Sequence, residues 1–434
     1  MDKMADVLGR AGAWCGQNKY LSAIKNAFQN FMPLTIAGAI GVLWCNVLVN
    51  DQTGLGLFFK PIMALDFLNP AFQAVNFCTI SCITVGITLG IAQEIGVWNM
   101  GAERAGYIPG LVGLAAWLSV TNTSHMVEGA KEAFTGIAGN ELGATGLFTG
   151  MIIGVLSVEL FCFFEKQDAL KIKMPEQVPP GVARAFEVLV PATITLIITA
   201  CIGSACYNLT GLYLNDVIKN GIQGPLGAVG ATIPGVMIIY LVIMLFWLVG
   251  IHGNNMLSAV KEALFTPLAL ENVEAFNKGE TPKNIINMYA LQMWGEFGGS
   301  GVTIGLVIAI MIFGKREDNK AIATLSLVPG LFNINETVTF GIPMVLNPIL
   351  GIPFVFACLV TILVGYVLTV IGFCPVACLT VPWTTPPIVF GFLATGANVM
   401  GAVTQAILIV VSTVIYVPFL IAYEKYQNKQ AAEA

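Results

Sequence analysis

LGAVGATIPGVMIIYLVIMLFWLVGIHGNN, residues 226–255, carries no charged residue before its histidine. The run 226–251 exceeds the about 20 apolar residues that a helix needs to cross the hydrocarbon of a bilayer. It ends in Trp247, His252, Asn254 and Asn255, with Gly250 and Gly253 close on either side of the histidine. An imidazole there can give or take a hydrogen bond from a hydroxyl. Flanking glycines let a ligand approach the backbone. The same polar residues would also serve as a plain helix cap at the membrane interface.

Outward from this run the pattern repeats. Apolar stretches lie at about 32–50, 73–97, 108–121, 143–164 and 185–209, then at 300–314, 340–350, 352–373 and 398–423. Weaker, interrupted stretches fill 253–298, 321–339 and 376–397. The 434 residues are 56% hydrophobic and only 10% charged, with a mean hydropathy of +0.80. A soluble domain has about 25% charged residues, so this chain could not cover a water-facing surface. The expected fold is an all-α polytopic membrane protein. It has about ten transmembrane helices, re-entrant hairpins, and an interfacial N-terminal helix over residues 1–30. In that segment Lys3, Arg10, Lys19 and Lys25 alternate with Leu21, Ile24 and Phe28. It is too polar for a secretory signal peptide. The net charge of −5 comes with no basic face, which argues against a nucleic-acid partner.

Positive charge orients the set. Arg104, then Lys166, Lys171, Lys173 and Arg184, then Lys315, Arg316 and Lys320 mark inner loops, and Lys425 and Lys429 follow the last run. Both termini are therefore expected on the cytoplasmic side of an inner membrane. The charged loop with Pro175, Pro179 and Pro180 divides an N-terminal bundle, 31–180, from a second half, 181–434. That half is interrupted by Pro267, Pro282, Pro329, Pro343, Pro348, Pro353, Pro375, Pro382, Pro386 and Pro387. Irregular backbone at membrane depth survives only where protein buries it or where it lines a watery cavity. Broken helices near the midplane are how many carriers build their sites. The second half is thus the expected binding half.

Two further polar constellations lie in it. Asn333, Asn335 and Glu336 stand inside FNINETVTFGIP, residues 332–343, where a carboxylate at membrane depth costs about 2.5–3.5 kcal/mol and usually has a function. A solvated turn would also accommodate Glu336. Trp383 lies in TVPWTTPP, residues 380–387, whose prolines forbid a simple helix. Its indole could stack on a pyranose ring or sit in an interfacial belt. Glu296 precedes Gly298-Gly-Ser-Gly301, a tight turn or a glycine-lined approach to a ligand, and Asn140 in an expected outer loop could gate entry. Glu94, Glu159 and Glu187 read as snorkelling or capping groups. A phosphate-binding loop is excluded, because no GK[ST] follows the glycines. The ten cysteines form no CxxC pair and the histidines number two, so no metal site and no cofactor are expected.

GIHG at 250–253, GGSGVTIGL at 298–306, FNINETVTFGIPMVLNP at 332–348 and VPWTTP at 381–386, with AFQNFMPLTIAGAIGVL at 27–43, together resemble one family. It is the membrane C component, or permease, of bacterial phosphotransferase-system sugar transporters, of the lactose/cellobiose/diacetylchitobiose type and nearest its diacetylchitobiose members. The resemblance spans essentially the whole chain. It implies a homodimer joined through the N-terminal bundle, with a disaccharide held in the C-terminal half between two re-entrant hairpins. A hydroxyl of the sugar, typically the 6-OH, is presented to a phosphocysteine on a separate B component. It implies sugar contacts from His252 and Glu336. Beside them the residues themselves offer Trp247, Asn254, Asn255, Asn335, Trp383 and Asn140 as the substrate-binding set. Family members commonly read N-E-P where this chain has Asn335-Glu336-Thr337, which keeps the carboxylate and replaces the proline after it. Without the resemblance, an ion-driven secondary carrier would share the broken helices and buried carboxylates. An intramembrane enzyme would need paired catalytic carboxylates or a metal constellation, and the sequence offers neither.

Overall fold

The structure is a computed structural model that describes residues 10, 14, 17–51, 56, 59–125, 134–175, 177–225, 230–342, 344, 345 and 347–433, without the side chain of Asn140. Among the described residues the only strands are the two-residue antiparallel pair Ser124–His125 and Phe134–Thr135. All other regular structure is helical.

Among the described residues, five helices are long and apolar enough to cross a membrane: Lys19–Leu48, Ala144–Glu165, Pro180–Thr210, Gly351–Val370 and Val399–Glu433. Two bent pairs raise the number to seven: Lys60–Ser81 with Ile83–Met100, at 42°, and Met288–Val302 with Ile304–Phe313, at 60°. Ile108–Val120 and Ile233–Leu248 are apolar but shorter. The chain is thus an all-α polytopic membrane protein.

By packing it forms two units. One comprises Gln17–Gly38 and Val75–Gly227. It holds the first part of α1 (Lys19–Leu43), then α2 (Ile83–Met100), α3 (Ile108–Val120), α4 (Ala144–Glu165) and α5 (Pro180–Thr210). α1 runs without a break through residue 30 and through Pro33. Ile87, Ile91 and Ile95 repeat every four residues, so they share one face of α2 and are fully buried. That face meets α3 and α4. At one end of the bundle, charges are matched in pairs. Arg104 bonds Glu165 at 2.8 Å and Glu187 at 2.9 Å, and Arg184 reaches the same two carboxylates at 2.9 Å each. Glu94 accepts from Asn26 at 2.9 Å, and Glu159 pairs with Lys19 at 2.6 Å. The three glutamates read from sequence as capping groups therefore tie helix ends together.

The other unit comprises Met1–Gly16, Ala39–Ala74 and Ala228–Ala434. Its helices are α6 (Ile233–Leu248), α7 (Ser258–Asn277), α8 (Met288–Gly295), α9 (Ile304–Phe313), α10 (Glu317–Leu331), α11 (Glu336–Gly341), α12 (Gly351–Val370), α13 (Val389–Ala394) and α14 (Val399–Glu433). Tyr240, Phe265, Trp294, Phe297, Phe354 and Tyr416 fill its core. The long helices α12 and α14 pack together and against α9 and α8, forming the frame that carries the short ones. α7 has 20 residues but carries Lys261, Glu262, Glu271 and Glu274, too many charges for a span. The stretch 252–315 thus holds this charged helix, the eight-residue α8, a glycine loop and α9. At the turn before α10, Glu424 accepts from the backbone N–H of Lys315 and Arg316, at 2.9 and 3.3 Å. A two-point hydrogen bond from Arg316 holds the Asp318 carboxyl below its ordinary range, so the pair stays charged at neutral pH.

Candidate functional site

The candidate residues, Asn140 apart, lie in the unit that holds α6–α14. α6 ends at Leu248 because the chain turns at Gly250, whose φ is +80°. His252 then caps a single helical turn, Gly253–Met256. Its Nδ1 accepts the backbone N–H of Asn255 at 3.2 Å. That bond fixes the tautomer: the neutral ring carries its proton on Nε2. Trp247, 3% exposed, lies behind the imidazole with ring centres 4.4 Å apart. Asn255 is exposed, and its carbonyl accepts from Ser258 at 2.9 Å.

The facing arm is the segment 333–341. Asn333 has φ +63°, a left-handed conformation that asparagine tolerates better than most residues. Its side chain crosslinks two loops. Oδ1 accepts from the Gly298 N–H at 2.7 Å, and Nδ2 donates to the carbonyls of Trp383 and Thr385, at 2.5 and 3.1 Å. Asn335 is buried and precedes α11, whose first residue is Glu336. A carboxylate at a helix N-terminus is favoured by the dipole. Glu336 Oε1 lies 3.9 Å from His252 Nε2, with both side chains open to solvent. The two candidate residues, separated by a long stretch of sequence, therefore face one another.

Between the arms lies the loop 296–301. Gly298, Gly299 and Gly301 all have positive φ. None of the three leaves room for a Cβ, which would stand 2.4 Å from Ile304 at Gly298, 2.7 Å from the Asn335 side chain at Gly299 and 2.4 Å from the Phe354 ring at Gly301. Tyr416 donates to the Gly301 carbonyl at 2.8 Å and Thr303 to that of Gly298 at 2.5 Å. Glu296 begins the loop and accepts from the Tyr240 hydroxyl at 2.7 Å and from the ammonium of buried Lys261. Sequence reading missed Lys261. Its signal was a lysine in the first turn of a helix directly after the GIHGNN segment, and it was hidden because the neighbouring charges of α7 look like a loop.

Trp383 is 43% exposed, its backbone held by Asn333. Asn254 points away from the surface: its Nδ2 donates to Ser300 Oγ at 3.1 Å. Asn335 likewise turns inward, its Nδ2 donating to the Ser300 carbonyl at 2.9 Å. Asn140 belongs to the short helix Gly139–Leu142 of the other unit, and its side chain lies outside the described residues. Among the described residues no group of three or more His, Cys, Asp or Glu could hold a metal ion.

The model of the family described as Phosphotransferase system, EIIC, matches residues 25–358. The chain is 33% identical to the oligo-beta-mannoside-specific EIIC component of Bacillus subtilis strain 168, over 98% of its own length and 94% of the relative's. It is 30% identical to the cellobiose-specific EIIC component of Lactococcus lactis subsp. lactis strain IL1403, over 98% of each chain. Its fold matches the crystal structure of the transporter ChbC, the IIC component of the N,N'-diacetylchitobiose-specific phosphotransferase system. The TM-score is 0.88 at 29% identity, over 97% of each chain.

Proposed function

Because the chain belongs to the phosphotransferase-system EIIC family, as a membrane sugar permease of the cellobiose/lactose/chitobiose type, we propose that it binds a β-linked disaccharide outside the cell and hands it to a phosphorylated B component. N,N'-Diacetylchitobiose is the proposed substrate, supported by the likeness to the diacetylchitobiose transporter. Cellobiose is the second reading, favoured by the similarity to the cellobiose-specific relative. The proposal includes a homodimer formed through the N-terminal bundle, with both termini in the cytoplasm.

The observation that carries the chemical part is the 3.9 Å gap between His252 Nε2 and Glu336 Oε1. It is too long for a direct hydrogen bond, yet a hydroxyl oxygen can sit about 2.8 Å from each atom. Nε2–H donates to that oxygen, and the hydroxyl donates to the carboxylate. Since Nδ1 is occupied by the Asn255 N–H, the neutral imidazole orients and Glu336 is the base. As the sugar oxygen bonds to phosphorus, its proton passes to Glu336. The phosphorus–sulfur bond to the B component breaks, and the cysteine leaves as thiolate. Phosphoryl transfer is mostly positioning and electrostatics, which suits a site with so few reacting groups. The exposed indole of Trp383 offers a face on which a pyranose can stack.

Glu336→Gln keeps the shape and removes the base. Binding of diacetylchitobiose to the purified protein should persist, while phosphorylation by the phosphorylated B component falls by about 10²–10⁴-fold. Full phosphorylation in Glu336→Gln would exclude the carboxylate as base. Cellobiose and lactose, titrated alongside, decide between the substrate readings.

A further inference from the structure

His252 and Glu336 both stand on weak supports. One caps a four-residue turn and the other opens a six-residue helix. Neither can hold its position through its own element, because so short a helix has little intrinsic stability. Yet the proposed chemistry needs their spacing fixed, since a displacement of about 1 Å can cost 10²-fold in rate.

A single residue touches both arms. Ser300 Oγ accepts from Asn254 Nδ2 at 3.1 Å, two residues beyond His252. The Ser300 carbonyl accepts from Asn335 Nδ2 at 2.9 Å, one residue before Glu336. Ser300 is itself 3% exposed and lies in a loop anchored on several sides. Tyr416 fixes the next carbonyl. Asn333 holds the N–H of Gly298, and Glu296, gripped by Lys261 and Tyr240, bonds the N–H of Gly299 through its carbonyl at 3.0 Å. The other half of the Asn254 amide, Oδ1, is buried with no partner among the described residues. Its orientation therefore rests on Ser300. A serine supplies a short acceptor side chain that fits beside glycines on both sides.

We propose that Ser300 is a positioning residue that sets the distance between His252 and Glu336, by binding Asn254 through its hydroxyl and Asn335 through its carbonyl. The inference rests on the reading of those two residues as the pair that holds the reactive hydroxyl. Asn254 and Asn335 then act through Ser300, and the sugar touches neither.

The test uses the full-length purified protein with diacetylchitobiose and its 6′-deoxy analogue, which lacks the hydroxyl assigned to the pair. Cellobiose and 6′-deoxycellobiose are titrated in parallel. A site built to bond a hydroxyl rejects the analogue without it, so the wild type should prefer the complete sugar by roughly 10- to 100-fold. Ser300→Ala and Asn254→Ala should each reduce that preference to within about 3-fold, with the deoxy sugar bound as by the wild type. Unchanged affinity for the deoxy sugar also shows that the variant is folded. The double variant should lose no more than either single one, because both remove the same bond. Ser300→Thr keeps the hydroxyl and should restore the preference. If the wild type shows no preference for either complete sugar, the reading of the His252–Glu336 pair fails and the inference falls with it. If the wild type discriminates and Ser300→Ala or Asn254→Ala discriminates equally, the inference alone is overturned. Losses in the double variant that multiply would also overturn it.

Discussion

Gly253 occupies a place where the backbone of one segment lies against the backbone of another. A Cβ there would fall 2.0 Å from the carbonyl oxygen of Ile243, which cannot swing aside as a side chain would. Gly253→Ala should therefore push the His252 turn off α6 and destabilise the protein by about 1–3 kcal/mol, read as a lowered melting temperature in detergent. At this scale much of the candidate site was legible. His252 and Glu336 stand out because an ionisable group beside apolar runs is costly and needs a reason. Their approach to 3.9 Å was not legible, since it depends on the path of the loop between them. The direction of an amide is also invisible in sequence. Asn254 and Asn335 read as polar groups available to a ligand, and in the structure both face Ser300. Lys261 escaped notice because its partner, Glu296, lies across the fold from it.

Among the elements, the short ones around the site depend on side-chain caps. Asn287 is fully buried, and its Oδ1 accepts from Tyr289 and Ala290 N–H, at 3.0 and 3.1 Å, starting α8. Its Nδ2 donates to the carbonyls of Asn284 and Ala377, at 2.8 and 3.2 Å, tying α8 to the segment after α12. Asn287→Ala removes the cap and one of the two donors on each carbonyl, the other being Asn272 at 2.8 and 3.0 Å, which should cost about 1–2 kcal/mol. Asn287→Asp keeps the cap acceptor but turns a carboxyl oxygen toward those two carbonyls in a fully buried place, so its melting temperature should fall at least as far as that of Asn287→Ala. The apolar runs at about 143–164 and 398–423 became the helices Ala144–Glu165 and Val399–Glu433, the second continuing through the polar residues after 423. The interrupted stretch 253–298 could be read only as broken. Charges say where a span cannot be; prolines do not, since α1, α5 and α14 run through Pro33, Pro191 and Pro418, and the buried asparagines that hold the pieces are recognised only once the pieces are packed.

Across the whole molecule, the packing units interleave along the chain, with stretches 17–38 and 75–227 in one and 39–74 and 228–434 in the other. Sequence order suggested a first and a second half, because a charged, proline-containing loop at 165–184 is the most conspicuous break. Helix α5, which comes after that loop, packs on α3 and α4. The loop is thus a connection inside one unit, tied down by Arg104, Arg184, Glu165 and Glu187. The proposed orientation puts this charge cluster on the cytoplasmic side. Alkaline phosphatase fused after residue 136 should then be active, and fusions after residues 175 and 434 inactive. Activity at 434 would reverse the orientation.

The buried pair of Lys261 and Glu296 has a consequence for energetics in a living membrane. One full charge moved through the membrane potential exchanges about 2.3 kcal/mol per 100 mV. Ammonium and carboxylate, held in contact, sum to zero. However far they travel together while a neutral sugar is carried inward, the electric field does no net work on them, and a polarised cell can keep a buried lysine here without making uptake depend on voltage through it.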